Sequence, residues 1–226
     1  MTYESRIALF VLSAFVLSAL TLTAAEAAWK NKQFPEWTED DAKELLKDSP
    51  WVKTAAATLV KTSPKDVHVS TPFGRRGDKR PEASDTTAPA NAKPPMLTLR
   101  WESALPVREA ELKARDVTAP TFDDEDHYAI AVYGLPRAML KDDSRGMAED
   151  LKRQALLKRE GKKDIKPSSV EILLREDGPV VLYLFPKSAE FDWRDHKIEF
   201  DGQMPGLKFT QAFSFDDMTF HGKLEL

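Results

Sequence analysis

Two apolar runs, Val170-Glu-Ile-Leu-Leu174 and Val180-Val-Leu-Tyr-Leu-Phe185, stand on either side of Glu176-Asp177-Gly178-Pro179. β-Branched and aromatic residues flanking a turn-forming break predict a β-hairpin, with Asp177-Gly178 at its turn. Both runs are nearly continuous, and Tyr183 is the only polar handle on the second. A strand of that kind needs cover on both faces. The pattern therefore predicts a layered domain, with helices on one side of the hairpin and the Trp-rich N-terminal region on the other.

The rest of the chain supplies those layers. Beyond the hairpin, Lys197-Ile-Glu-Phe200, Leu207 to Phe215 and Thr219 to Leu226 read as strands. Leu207, Phe209, Gln211, Phe213 and Phe215 share one face at period two. Seven of the twelve phenylalanines lie from Phe185 onward, so the C-terminal third supplies the bulk of the core. Upstream, Thr38 caps a helix whose first turn holds Glu39, Asp40 and Asp41, where the helix dipole favours acids. Ala42, Leu45 and Leu46 make its apolar stripe, and Ser49-Pro50 ends it. Trp51 to Val60 suits a strand despite its alanines, and Met96 to Trp101 alternates as a strand does. Ser103 to Leu112 reads as a helix, Tyr128 to Tyr133 as a strand, and Met147 to Glu160 as a helix closed by Gly161. Helices interspersed early and strands bunched late give an α+β fold: a mainly antiparallel sheet with two to three helices on one face.

Lys61 to Pro95 is different material. It holds six of the fifteen prolines and few large apolar residues, so it buries too little to offset its ordering entropy. It reads as a long mobile loop within one domain, since Trp29 to Val60 is too short to fold alone. The Arg76-Gly77-Asp78 tripeptide within it is a chance-level match in a solvated loop.

The N-terminus bears on location. Arg6 precedes the uncharged run Ile7 to Leu22, and small residues follow to Ala25 and Ala27. This is the anatomy of a secretory signal peptide, residues 1–27, with cleavage expected after Ala27. Sixteen residues are short for a membrane span, and retention as an anchor is the alternative. Residues 28–226 then form a single exported domain, periplasmic or secreted, which meets the membrane only through the leader before cleavage. A formal charge of −4 leaves no footprint for nucleic acid. The lack of cysteine excludes disulfides, thiol nucleophiles and zinc–thiolate sites.

Candidate chemistry is sparse. Asp123, Asp124, Asp126 and His127 form the densest acidic cluster, which suits a hard cation or, more simply, a solvated loop. Asp192, Asp195 and His196 are loop residues near strand ends; they offer an acid–base pair for a hydrolase, or turn hydrogen bonds. Trp29, Trp37 and Trp51 bracket the first helix, either as an aromatic platform for a partner or as a staple onto the sheet. No P-loop, G-x-G-x-x-G, G-x-S-x-G or S-x-x-K occurs, and no cofactor is expected.

The segment Phe213-Ser-Phe-Asp-Asp-Met-Thr-Phe-His-Gly-Lys-Leu-Glu-Leu226, with Phe185-Pro186, Ile198-Glu-Phe200, Ser49-Pro50-Trp51 and Trp101-Glu-Ser-Ala104, resembles a family of uncharacterised exported bacterial proteins. The resemblance implies export and no particular activity. The expected function is a non-enzymatic binding or interaction module with a protein or glycan partner in the cell envelope. A carboxylate-dependent hydrolase and a carrier of an apolar small molecule are the alternatives.

Overall fold

A computed structural model describes residues 27–60, 94–122, 125–137, 144–176 and 178–226. The expected leader up to Glu26, most of the Pro-rich loop, Asp123, Asp124 and Asp177 lie outside the described residues.

The fold is α+β with antiparallel sheets throughout, as the strand pattern requires. The strands divide between two larger sheets. The first has the order β1 (Val52–Ala56), β3 (Met96–Trp101), β4 (His127–Tyr133), β7 (Val180–Pro186), β6 (Ser169–Leu173). The second has the order β2 (Thr58–Leu59), β9 (Leu207–Ser214), β8 (Lys197–Met204), β5 (Ala155–Arg159). The chain passes between them at Ala57, whose N–H donates to the Pro95 carbonyl at 3.0 Å. A two-stranded hairpin of β10 (Thr219–Phe220) and β11 (Lys223–Leu224) ends the chain.

β7 has the place its composition demands. It pairs with β4 on one side and β6 on the other, Ile130 opposite Tyr183 and Tyr183 opposite Val170. The hairpin is therefore as predicted, with β7 interior and β6 at the edge. Val181, Tyr183 and Phe185 join Leu97, Leu99, Trp101, Ile130 and Val132 in the main core, which continues into Phe200, Phe209 and Phe213 of the second sheet. On the opposite face, Val180, Leu182 and Leu184 cluster with Ala129, Ala131 and partly buried Phe122.

The helices sit around this pair of sheets. α1 (Glu39–Lys47) opens with the expected Thr38 cap, which the fold extends to a capping box: Asp41 N–H donates to Thr38 Oγ1 at 3.1 Å, and Thr38 N–H donates back to Asp41 Oδ2 at 2.8 Å. α1 packs on α2 (Leu105–Ala114), while α3 (Ser144–Arg153) lies against β6 and β8.

Two expectations change. The helix predicted to Glu160 stops at Arg153, and Ala155–Arg159 is strand β5, paired with β8. Helix-favouring side chains yield there to a ladder with buried Ala155 and Leu157 in the main core. The last predicted strand is instead the β10–β11 hairpin, turning through His221 and Gly222 at positive φ.

β8 also runs through Gly202, further than its apolar pattern suggests. Gly202 faces Phe209 across the ladder, and a Cβ there would lie 2.6 Å from the Phe209 ring. Phe209 is itself buried on Phe200, with ring centroids 5.8 Å apart. The Gly202→Ala variant should lose about 1–3 kcal/mol, the usual cost of overpacking. A urea midpoint lowered at constant slope would register it; an unchanged midpoint would show that the ring moves aside freely.

Candidate functional site

Alternation along β3 turns Leu97, Leu99 and Trp101 into the core and sends Arg100 to the other face. Read in one dimension that is a solvent position. In the fold α2 and the turn after it close over it, and Arg100 is only 5% exposed. A guanidinium buried to that degree needs every donor engaged. Nε donates to Glu102 Oε1 at 2.7 Å, Nη1 to Asp116 Oδ2 at 3.0 Å, and Nη2 to Glu111 Oε1 at 2.8 Å. Nη2 also meets the Tyr133 hydroxyl at 2.5 Å, and that hydroxyl donates to Glu102 Oε1 at 2.5 Å.

The chain bends sharply to complete this arrangement. α2 ends at Arg115, a left-handed residue with φ 54°, which swings Asp116 under the guanidinium. Asp116 Oδ1 then accepts from Thr118 N–H at 2.8 Å and Thr118 Oγ1 at 2.6 Å. Further on, Arg175, just past β6, donates to the carbonyls of Val117 and Ala119 at 3.0 and 3.1 Å. These contacts thus join β3, β4, α2 and the segment from Arg115 to Ala119.

Three carboxyl groups around one cation cannot all stay ionised at low cost. Burial pushes the Glu111 carboxyl far above its ordinary range. A hydrogen bond with Glu102 and the charge of that residue push the same way, against Arg100. Glu102 Oε2 is buried with no hydrogen-bond partner among the described residues. Asp116 behaves oppositely. Burial would raise it, but the Thr118 hydrogen bonds and Arg100 outweigh burial and hold it below the usual carboxylate range. Tyr133 is raised by burial and by the Glu102 charge, so its hydroxyl keeps its hydrogen.

The network forms the wall of a cleft. Glu111 and Asp116 line a space of about 770 Å³ together with Leu105, Leu112, Val117 and Pro120. Leu112 is 72% exposed and Val117 91% exposed. Exposed aliphatic side chains gathered in one concavity mark a contact surface more often than scattered ones do. Arg100 and Asp116 also line a smaller cleft of about 350 Å³ with Lys43, Leu46 and Lys47.

The residues singled out in the sequence lie elsewhere. Trp29, Trp37 and Trp51 are all buried and stack at 5.8 to 6.5 Å, with Trp37 edge-on to Phe220. Trp51 Nε1 donates to the Glu225 carbonyl at 2.7 Å. They staple α1 and the terminal hairpin to the sheets and offer no open ring face. Asp192 caps Arg194 N–H at 2.8 Å and pairs with the Arg194 guanidinium, which holds its carboxyl down at about 2. Asp195 is buried, 2.6 Å from Lys162 Nζ, and its Oδ2 accepts from the Asp192 N–H. His196 is exposed and 3.4 Å from Asp216. Turn hydrogen bonds take up Asp192 and one oxygen of Asp195, Lys162 takes the other, and His196 faces Asp216; Asp192 alone of the three lines the cleft of about 580 Å³ beside Trp193. Asp126 is exposed and its carbonyl accepts from Lys187 N–H, while His127 opens β4. Among the described residues no three His, Asp or Glu side chains converge as a metal site would need.

No family model matches the chain, and no curated protein or solved structure does either. The Arg100 network was missed in the sequence because its members are spread from residue 100 to residue 133. The one local signal was the pair Arg100 and Glu102 at the end of an apolar strand.

The Glu111 carboxyl has a stability consequence. Its folded value lies above the 4.5 of a free Glu, so the folded state holds more protons and stability falls as pH rises above about 4.5. Glu111→Gln, a neutral substitute for the protonated acid, should flatten that fall. Urea unfolding of both proteins at pH 5 and pH 8 measures it; equal losses in the two would contradict a protonated Glu111.

Proposed function

We propose that the protein is an exported, non-enzymatic binding module whose working surface is the cleft between α2 and the segment from Arg115 to Phe122. The observation that carries this reading is the exposure of Leu105, Leu112 and Val117 on that one cleft, mounted on a network that holds its shape before any partner arrives. Preorganisation of this kind saves ordering cost on binding. Aliphatic lining suits a protein partner that inserts an apolar side chain. A glycan would look instead for an aromatic face, and the exposed Trp193 supplies one beside Tyr128 and Phe191. The alternative of an apolar-ligand carrier draws no support from the described clefts, which open to the surface and carry charged side chains on their walls.

One observation favours a hydrolase as the second reading. Glu111 and Asp116 line the same cleft, with the first pushed toward the protonated form and the second toward the ionised form. Groups separated in this way serve as acid and base in some enzymes. Here both are hydrogen-bonded to Arg100, which favours a structural role. Turnover on a panel of glycosides and esters, lost in Glu111→Gln, would reverse that preference.

Binding of the 28–226 domain to a displayed library of aliphatic-rich peptides, followed by fluorescence polarisation, tests the main reading. Leu112→Ser and Val117→Ser should each weaken binding by about tenfold or more, and Trp193→Ala should leave it unchanged. Absence of peptide binding, or binding indifferent to both cleft variants, would overturn it. Binding to a glycan array lost in Trp193→Ala would transfer the working surface to that residue.

A further inference from the structure

The start of the described chain has a bearing on how the leader is removed. Ala27 is half-buried and packs on the main core. Its carbonyl accepts from the Lys30 N–H at 3.1 Å, closing a tight 3-10 turn over Ala28–Asn31. Trp29 is 2% exposed and wedged between Trp37 at 6.5 Å and Trp51 at 5.8 Å. A peptidase that cuts after Ala27 must draw this stretch out as an extended strand. It must also place the Ala27 carbonyl among its own hydrogen-bond donors, where the developing oxyanion is stabilised. In the folded domain that carbonyl is already taken, and extending Ala28 and Trp29 would pull the indole from the core. Exposing a buried indole is among the costlier single losses a core can suffer, so the extended form is rare in the folded protein.

We propose that the Ala27–Ala28 bond is a processing site which the fold closes: the leader is removed only while Trp29 is undocked, and a chain that folds first keeps its leader. The proposal rests on the reading of residues 1–27 as a cleavable leader. The reaction is hydrolysis. Water adds to the Ala27 carbonyl carbon, the bond to the Ala28 nitrogen breaks, Ala27 leaves as a carboxylate, and Ala28 takes up protons as an α-ammonium. Ala27 and Trp29 line a cleft of about 730 Å³ whose walls carry Lys30 and Lys53 as well as Glu44, Asp48, Asp216 and Asp217. Cleavage or retention is then decided by the order of two events, export processing and the docking of one tryptophan.

The full chain 1–226 in detergent micelles, exposed to a purified signal peptidase, tests this by mass spectrometry of the products. Chain held unfolded in urea at a concentration the peptidase tolerates should be cut after Ala27, and folded chain should be cut about tenfold more slowly or less. Trp29→Ala, confirmed folded by its circular dichroism and cooperative melting, should be cut at nearly the unfolded rate. Equal rates for folded and unfolded wild type would overturn the proposal. Folded Trp29→Ala that resists cutting would overturn the role of Trp29. Unfolded wild type that is not cut after Ala27 would remove the leader reading itself, and the proposal with it.

Discussion

A single guanidinium, buried on the face of β3 turned away from the main core, ties the end of α2 and the turn after it to β3 and β4, beside the apolar packing of Val107 and Ala110 in that core. Arg100 donates to Glu102 just past its own strand, to Glu111 on α2, to Asp116 in the turn beyond it, and meets Tyr133 of β4. A buried ionic cluster is not by itself a source of stability, because desolvating its members costs as much as their attraction returns. Its value lies in specificity: the donors of a planar guanidinium fit one arrangement of acceptors. Here that arrangement fixes the end of α2 and the turn of the chain after it. The upward push on the Glu111 carboxyl is part of the same balance, since a third full negative charge would leave the cluster without enough compensation.

The main core needs no such device. Leu97, Leu99 and Trp101 meet Phe200, Phe209 and Phe213 across the two sheets by apolar burial alone. Trp101 lies edge-on to Phe213 and Phe215 at 5.4 and 6.2 Å, an arrangement that aromatic pairs prefer. The Trp29, Trp37 and Trp51 cluster joins the beginning of the domain to its end through Phe220 and the Glu225 carbonyl. The molecule thus has an apolar joint that closes the chain and a polar one that shapes its surface. The two carry different parts of the proposed behaviour, processing at the first and partner contact at the second.

Local patterns made much of this legible. The β6–β7 hairpin, the Thr38 cap, the alternation of β3 and β9 and the α+β class are all written in short windows of sequence. What was not legible depends on residues that meet from far apart. Ala155–Arg159 has helix-favouring composition and becomes a strand only because β8 offers a ladder. Arg100 occupies a solvent position by alternation and becomes buried only because α2 returns over it. Asp192 and Asp195 carried two readings, and the turn hydrogen bonds are the one the fold contains, with Lys162 added to Asp195 from further along the chain. For β5 and Arg100, local composition was opposed by a tertiary partner that the composition does not name.

The dependence of α2 and its following turn on Arg100 is the centre of this account, and hydrogen exchange in Arg100→Met measures it directly. The account predicts that amides from Val107 to Thr118 lose protection by about tenfold or more through local opening, while those of β7 and β8 remain as slow as in the wild type. Retained protection across α2, or an equal loss over the whole domain, would contradict it.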